Sequence, residues 1–333
     1  TDFPGDESNR KLLARIDWNI NNKHRFSMRY NYTKNTAWNP TNGNSTDAGY
    51  RNSRMNRISQ YGMAFSNSLY SMDNIVKTYA GELNSRFSNM ISNQFVVTYS
   101  QIKDMRGSNS DKFPFIDILA GRTNTGVPII EPYISAGYEL FSWNNGVNNN
   151  TLTVIDNMTY FLNNHKITAG LNYEYQMANN AYMRNGTGYY RYASVEEFLN
   201  QAAPIDFALT YGYDGEENPA AEVAFHQIGA YIQDEYSVSP NAKITYGLRA
   251  DYLRYEDNLI RNNAIYNLDF GGRKIDTGSW PEAKVQISPR MGFTWDLLGN
   301  QTLKLRGGLG VFTGRLPLVF FTNMPTNSGM LQG

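Results

Sequence analysis

Three histidines, thirty carboxylates and no cysteine bound the chemistry open to this 333-residue chain. Without cysteine there is no disulfide framework, thiolate zinc site, iron–sulfur cluster or thiol nucleophile. A Ser-His-Asp or Asp-His arrangement needs a histidine beside its nucleophile. His24 and His165 follow the turn-like runs Asn21-Asn22-Lys23 and Asn163-Asn164, so only His226 could serve. The preferred reading of all three is a solvated turn or strand end. Asp214-Gly215-Glu216-Glu217-Asn218 offers oxygens to calcium but lacks the alternating acids of a dedicated loop, and reads as a solvated acidic segment. Gly307-Gly308-Leu309-Gly310 imitates a phosphate loop, yet has neither Lys-Ser/Thr nor a helix behind it. We therefore assign no catalytic, metal-binding or cofactor-binding residue and expect no enzyme. Lys+Arg and Asp+Glu both number 30, so the basic excess of a nucleic-acid partner is missing.

What the chain carries instead is aromatic surface: 24 Tyr, 17 Phe and 5 Trp. Trp38, Tyr50, Trp143, Tyr182, Tyr189, Tyr190, Tyr192, Tyr211, Tyr213 and Trp280 lie among Asn, Gly and Asp. Rings with a polar tip pack well on sugars, peptides or aromatic chelators, although packing of loops on themselves explains any single one equally well. Trp38, Trp143, Tyr189, Tyr190, Tyr192 and Trp280 are the expected ligand contacts, with Arg184 and Arg191 placed to orient an acidic or hydroxyl-rich group.

The elements that would hold these residues are read from period-two alternation, which sends successive strand side chains to opposite faces. Leu12, Ala14, Ile16, Trp18 and Ile20 alternate with polar residues, Leu13 being the one exception, and Phe26, Met28, Tyr30 and Tyr32 repeat the pattern after the Asn21–His24 turn. Ten strands are expected, at 12–20, 25–33, 75–87, 93–104, 152–162, 166–177, 224–236, 243–253, 287–296 and 301–312. Ile167, Ala169, Leu171, Tyr173 and Tyr175 share a face, as do Ile244, Tyr246, Leu248 and Ala250. Ser194, followed by Val195-Glu196-Glu197-Phe198-Leu199 and later Pro204, predicts a short capped helix.

Turns at one end of the hairpins are short, while the connections at the other end, 35–74, 105–150, 178–223 and 254–286, are long. Such loops argue against a compact soluble domain. A soluble β-sandwich would alternate too, but leaves this asymmetry unexplained. Short periplasmic turns, long extracellular loops, an apolar outer stripe, a polar interior and aromatic girdles are the marks of an outer-membrane barrel. Trp18, Tyr30, Tyr32, Tyr173, Tyr175, Tyr252 and Trp295 are the expected girdle. The fold class is thus all-β, an antiparallel transmembrane β-barrel with long extracellular loops in the cell outer membrane, facing lipid. This orientation puts both chain ends outside the cell, where a complete bacterial barrel has them in the periplasm, and no signal peptide is present. We expect residues 1–333 to be an internal part of one larger barrel domain, with both barrel ends missing.

Several motifs sharpen the reading. Tyr231-Ile232-Gln233-Asp234-Glu235-Tyr236 resembles the Y-x-Q-D-E segment of TonB-dependent outer-membrane receptors, and Gly247-Leu248-Arg249-Ala250-Asp251 their G-x-R-x-D. Ile287-Ser288-Pro289-Arg290 and the run Leu303–Phe312 resemble the family's S-P-R and R-x-G-x-G-x-F strands, in the same order. The Asn- and Tyr-rich loops and Leu83-Asn84-Ser85-Arg86-Phe87 are similar to the Oar-like group from Gram-negative bacteria. The resemblance implies a 22-stranded barrel, an N-terminal plug and a TonB-binding segment; this chain shows neither of the last two. It further implies energised uptake of a scarce external ligand, with TonB as partner through the N-terminal part. The alternative is an outer-membrane barrel whose loops bind another protein, such as a surface lipoprotein, without transport. An outer-membrane hydrolase is disfavoured by the histidine count.

Overall fold

A backbone that crosses hydrocarbon must hydrogen-bond to itself, and strands do this only by pairing with neighbours. The computed structural model describes residues 5–43, 60–256, 259–314, 317–327 and 329–333. Ten long strands pair side by side in chain order: β1 Glu7–Asn19, β2 His24–Asn39, β4 Tyr70–Arg86, β5 Ile91–Ser108, β8 Asn145–Leu162, β9 His165–Tyr182, β12 Ala221–Ser239, β13 Ala242–Tyr255, β14 Val285–Asp296 and β15 Lys304–Gly310. All their ladders are antiparallel, and β1 and β15 form the two edges of the sheet. The ten expected strands are present. The corrections concern their outer ends, since β2 runs on to Asn39, β4 starts at Tyr70 and β8 starts at Asn145. These extensions scatter Ala37, Trp38, Tyr70, Met72 and Val147 among Asn, Ser, Lys and Thr, so no regular hydrophobic alternation reveals them. The connections shrink accordingly to 40–69, 109–144, 183–220 and 256–284.

The register fixes which side faces lipid. Leu171 stands opposite Ala230, and Ala230 opposite Ala250, while Leu171 is 61% exposed. The same face carries one continuous row, Tyr30, Tyr79, Tyr99, Leu152, Tyr175 and His226, across six strands. Tyr30 and Tyr79 lie 4.8 Å apart, and Tyr175 and His226 4.9 Å. Below this row the outward face is apolar, and above it come Lys77, Gln101, Asn150 and then Lys34, Lys103, Asn148. The tyrosine row therefore marks the outer hydrocarbon boundary, the girdle position expected for Tyr30 and Tyr175. Asp156 interrupts the apolar band and accepts a 2.6 Å bond from Asn93 Nδ2.

The histidines take structural places. His24 Nδ1 lies 2.9 Å from Ser85 Oγ, and His165 Nδ1 2.6 Å from Asp234 Oδ2. His226 lies 2.9 Å from Tyr173 Oη and 3.1 Å from Glu256 Oε1. Gly307, Gly308 and Gly310 end β15, as wall rather than loop.

Two substitutions on adjacent residues test the orientation. Leu171→Arg puts a cation into hydrocarbon, where one at mid-depth costs about 2–4 kcal/mol. Asn172→Asp, a charge facing the interior that keeps the oxygen accepting from Arg249, is expected to leave the unfolding midpoint in lipid vesicles nearly unchanged. Equal losses would reverse the assignment of faces.

Candidate functional site: an outer cap over a polar inner wall

Five short strands in the outer connections make a second sheet: β3 Met63–Ala64, β6 Phe115–Leu119, β7 Pro132–Ala136, β10 Tyr189–Tyr192 and β11 Asp206–Ala208, in the order β11-β10-β6-β7-β3. It brings together residues from three different loops. Phe115, Leu140, Phe141 and Tyr189 form its apolar core. At its centre the fully buried Asp117 accepts from Tyr189 Oη and from Ser135 Oγ, both at 2.7 Å. Arg191, 0% exposed, donates to Asp206 Oδ2 at 3.0 Å and approaches Asp117 to 3.9 Å. A buried charge is tolerable only with such partners.

A capped helix, α1 Val195–Leu199, follows β10, with Ser194 Oγ accepting from Glu197 N–H as the sequence predicts. Arg122 grips the Glu197 carboxylate from another loop, with Nη2 3.1 Å from Oε2. That hydrogen bond, ahead of a smaller opposing cost of burial, holds the Glu197 carboxyl below its ordinary range. Its contribution is complete above the ordinary carboxylate range and is lost as pH falls through the lowered value. Beyond a second short helix, α2 Asn263–Asn267, comes α3 Val319–Asn327, which packs on β9 and β12. Asn180 Nδ2 donates at 3.0 Å to both Thr322 Oγ1 and Asn323 Oδ1. Since Asn180 points inward, α3 lies on the inner side of the wall, near its outer end.

Deeper inside, the wall is polar and its bonds run from strand to strand. Arg249 pairs with Asp251 at 2.7 Å and donates to Asn172 Oδ1 at 2.7 Å, passing over Gly229. Tyr231 lies over Gly170 and donates to Asn157 Oδ1. Gln94 Nε2 donates to Glu82 at 2.8 Å. Both glycines are needed for close approach, because a Cβ on Gly170 would come within 2.4 Å of the Tyr231 ring.

The expected ligand contacts divide into groups. Tyr189 and Arg191 are fully buried and stand as interior posts of the cap. Their alternation in Tyr189-Tyr190-Arg191-Tyr192 is that of a short strand, masked by the abundance of tyrosine around it. Trp38 belongs to β2 and shares the outward face with Tyr30 and Lys34, so it is not a loop residue. Tyr190 packs on Phe207 at 5.0 Å and Tyr192 on Phe198 at 5.2 Å, both half-buried. Arg184 is half-buried beside them in sequence. Trp280 stacks on Tyr255 at 4.4 Å and meets Phe321 of α3 at 5.2 Å. Trp143 sits apart, edge-on to Tyr138 at 5.6 Å. Tyr50 lies outside the described residues. Sequence reasoning missed Asp117, Asp206 and α3, although Phe115-Ile116-Asp117-Ile118-Leu119 is itself a short alternating run.

A family model described as "Outer membrane beta barrel domain" matches residues 2–332. The chain belongs to this family. It is accordingly a protein of the cell outer membrane, crossing it with strands. No curated protein sequence matches the chain. Among solved structures it is similar to the outer membrane transporter YddB from Escherichia coli, with a TM-score of 0.60 and 14% identity over 98% of this chain and 34% of that one. It is also similar to the ferric citrate transporter FecA in unliganded form, with a TM-score of 0.50 and 12% identity over 91% of this chain and 36% of that one. The chain thus spans about a third of the length of these transporters. The likeness establishes a shared barrel fold.

Two predictions follow from the packing of this barrel. Arg191→Met removes the cation that Asp117 and Asp206 share, a loss of about 3–5 kcal/mol for a buried pair. Limited proteolysis should then cut within 109–144 or 183–220 while the long strands resist. Gly170→Val should lower stability by about 1–3 kcal/mol through overpacking, with most of the loss recovered in Gly170→Val/Tyr231→Ala. An unrecovered loss would place the strain elsewhere.

Proposed function

We propose that this chain supplies part of the wall and the outer cap of an energised uptake barrel, of the TonB-dependent receptor kind and similar to its Oar-like group. What supports the reading most is the combination in one chain of a polar, internally bonded wall with a structured cap over its outer end. The motif set around Tyr231–Tyr236 and Gly247–Asp251, which pair as the β12–β13 hairpin, supports it further. A scarce external ligand is captured at the outer end, where Tyr190 and Tyr192 present rings with polar tips, Trp280 offers a ring whose N–H already donates to Glu256 O, and Arg184 lies close to the two tyrosines in sequence. Force transmitted through TonB, acting on a plug supplied by other residues of the polypeptide, opens the path along the wall. The chain itself works by binding and conduction and carries no reaction.

The reading is tested on cells with and without the full-length gene, grown in spent medium whose solutes are followed by mass spectrometry. A solute depleted only by gene-bearing cells, and only without a protonophore, is expected. Alanine at Tyr190, Tyr192 and Trp280 should slow that depletion roughly tenfold at one or two positions, as few contacts carry most binding energy. If no energy-dependent depletion occurs and the cells instead retain a protein on their surface, the barrel is a binding platform and the uptake reading fails.

A further inference from the structure

The cap sheet β11-β10-β6-β7-β3 keeps its charge on the buried face and its apolar side chains on the open one. In register across the strands, Ser135, Asp117, Arg191 and Asp206 share a face. Asp117 and Arg191 are 1% and 0% exposed, and Phe115 and Tyr189 on the same face pack with Leu140 and Phe141. The paired residues of the opposite face include no charged or amide side chain. One row across it is Ile116, Tyr190 and Phe207, and the next is Met63, Ile134, Ile118 and Tyr192. Phe207 and Met63, on the two edge strands, are 55% and 51% exposed, while Ile116, Ile134 and Tyr190 between them are half-buried. The Ile118–Tyr192 corner lies under α1, whose Phe198 meets Tyr192 at 5.2 Å.

A sheet packed on one side ordinarily turns its apolar residues to the core and its polar ones to water. Here the order is reversed, and an apolar surface kept open on a folded chain marks a place of docking. Its dimensions say for what. Five strands at ~4.8 Å spacing make the face about 19 Å long, and two residues of one face lie ~7 Å apart along a strand. A strip of that size is far below the ~800 Å² that each partner of a stable protein complex buries, too little for a folded partner or a second copy of this chain. A single extended chain of about six residues, at ~3.3 Å each, spans it. With no charge on the strip, a charge laid against it would lose water and gain no partner. Tyr190 and Tyr192, both on β10, add two hydroxyls, which the carbonyls of a peptide can use and a bare hydrocarbon chain cannot.

We propose that this open face of the cap sheet binds an uncharged, apolar peptide segment in extended form, lying across the strands from β3 to β11. Its apolar side chains cover Met63, Ile116, Ile134 and Phe207, and the hydroxyls of Tyr190 and Tyr192 donate to its carbonyl oxygens. An acidic ligand finds no partner on the sheet, because Arg191, the one cation in these five strands, is turned inward to Asp117 and Asp206. The inference deepens the uptake reading at Tyr190 and Tyr192 and rests on it for the fate of the bound peptide. Binding to the purified protein needs no energy, so its failure and a failure of uptake are separate results.

The test uses full-length protein in nanodiscs and the fluorescence anisotropy of a dye-labelled, end-blocked hexapeptide that alternates leucine and serine. Three unlabelled competitors are compared: the same peptide, the peptide with aspartate in place of its leucines, and decanol. Saturable binding is expected, competed by the leucine peptide alone and not weakened by a roughly tenfold rise in ionic strength, since no charge takes part. Phe207→Ser and Met63→Ser, at half-exposed positions, should each weaken it roughly tenfold while the cap stays as resistant to protease as in the parent. Tyr190→Phe, which keeps the ring and removes the hydroxyl, should weaken it about fivefold. Equal competition by decanol would make the strip a general hydrocarbon surface, and equal competition by the aspartate peptide would show that charge is accepted; either overturns the proposal. So does an absence of binding, or folded variants that bind like the parent. A cap opened to protease by Phe207→Ser or Met63→Ser would show the strip to be packed in the full-length protein, which overturns it as well.

Discussion

Everything in this chain depends on inter-strand hydrogen bonding in a medium that offers no alternative partner. Within hydrocarbon each backbone amide must find a neighbouring strand. The ladders of β2 with β4 and of β8 with β9 run unbroken from the periplasmic turn to beyond the tyrosine row. Pairing at this length fixes register, and register fixes face. A slip of one residue would move Arg249 and Asp251 into lipid and Leu248 and Ala250 into the interior. The side chains of the wall are therefore assigned by the backbone before any of them makes a contact.

This hierarchy explains what the amino-acid order discloses. Where one face meets lipid, alternation is enforced, and the strands containing Leu171 and Leu248 are legible residue by residue. Above the membrane both faces meet water, and the constraint lapses. The outer ends of β2 and β8 continue as strands through Asn, Lys and Thr without any regular period, which is why Trp38 reads as a loop residue and is not. The cap is harder still. Asp117 and Arg191 meet from loops far apart in sequence, and only their burial separates them from ordinary surface charges. Tyr189 and Tyr190 are adjacent and identical, yet one is core and the other half-exposed, a difference decided by pairing with Phe115 and Ile116. The short helix after Ser194 was legible because its cap is local. α3 was not, since its warrant is Asn180 on a distant strand.

The cap and the wall also differ in how they hold charge. In the cap, Arg191 and Asp117 are taken wholly out of water, so their partnership is rigid and costly to break. Along the wall Arg249 keeps part of its surface open and shares its donors between Asp251 and Asn172. The outer structure is thus held by a few concentrated interactions, the inner one by many distributed ones.

Gly170 and Gly229 give the wall a property that the hydrogen bonds alone do not. Because neither has a side chain, Tyr231 and Arg249 lie down across them and satisfy each other's neighbours instead of projecting inward. The surface there is smooth, and its donors and acceptors are already spoken for. The interior face of this stretch therefore presents dipoles that are turned sideways along the wall, neither bare hydrocarbon nor open amides. Two missing methyl groups thus set the texture of this stretch of wall: the side chains that cross it lie flat, and the space beside it stays open.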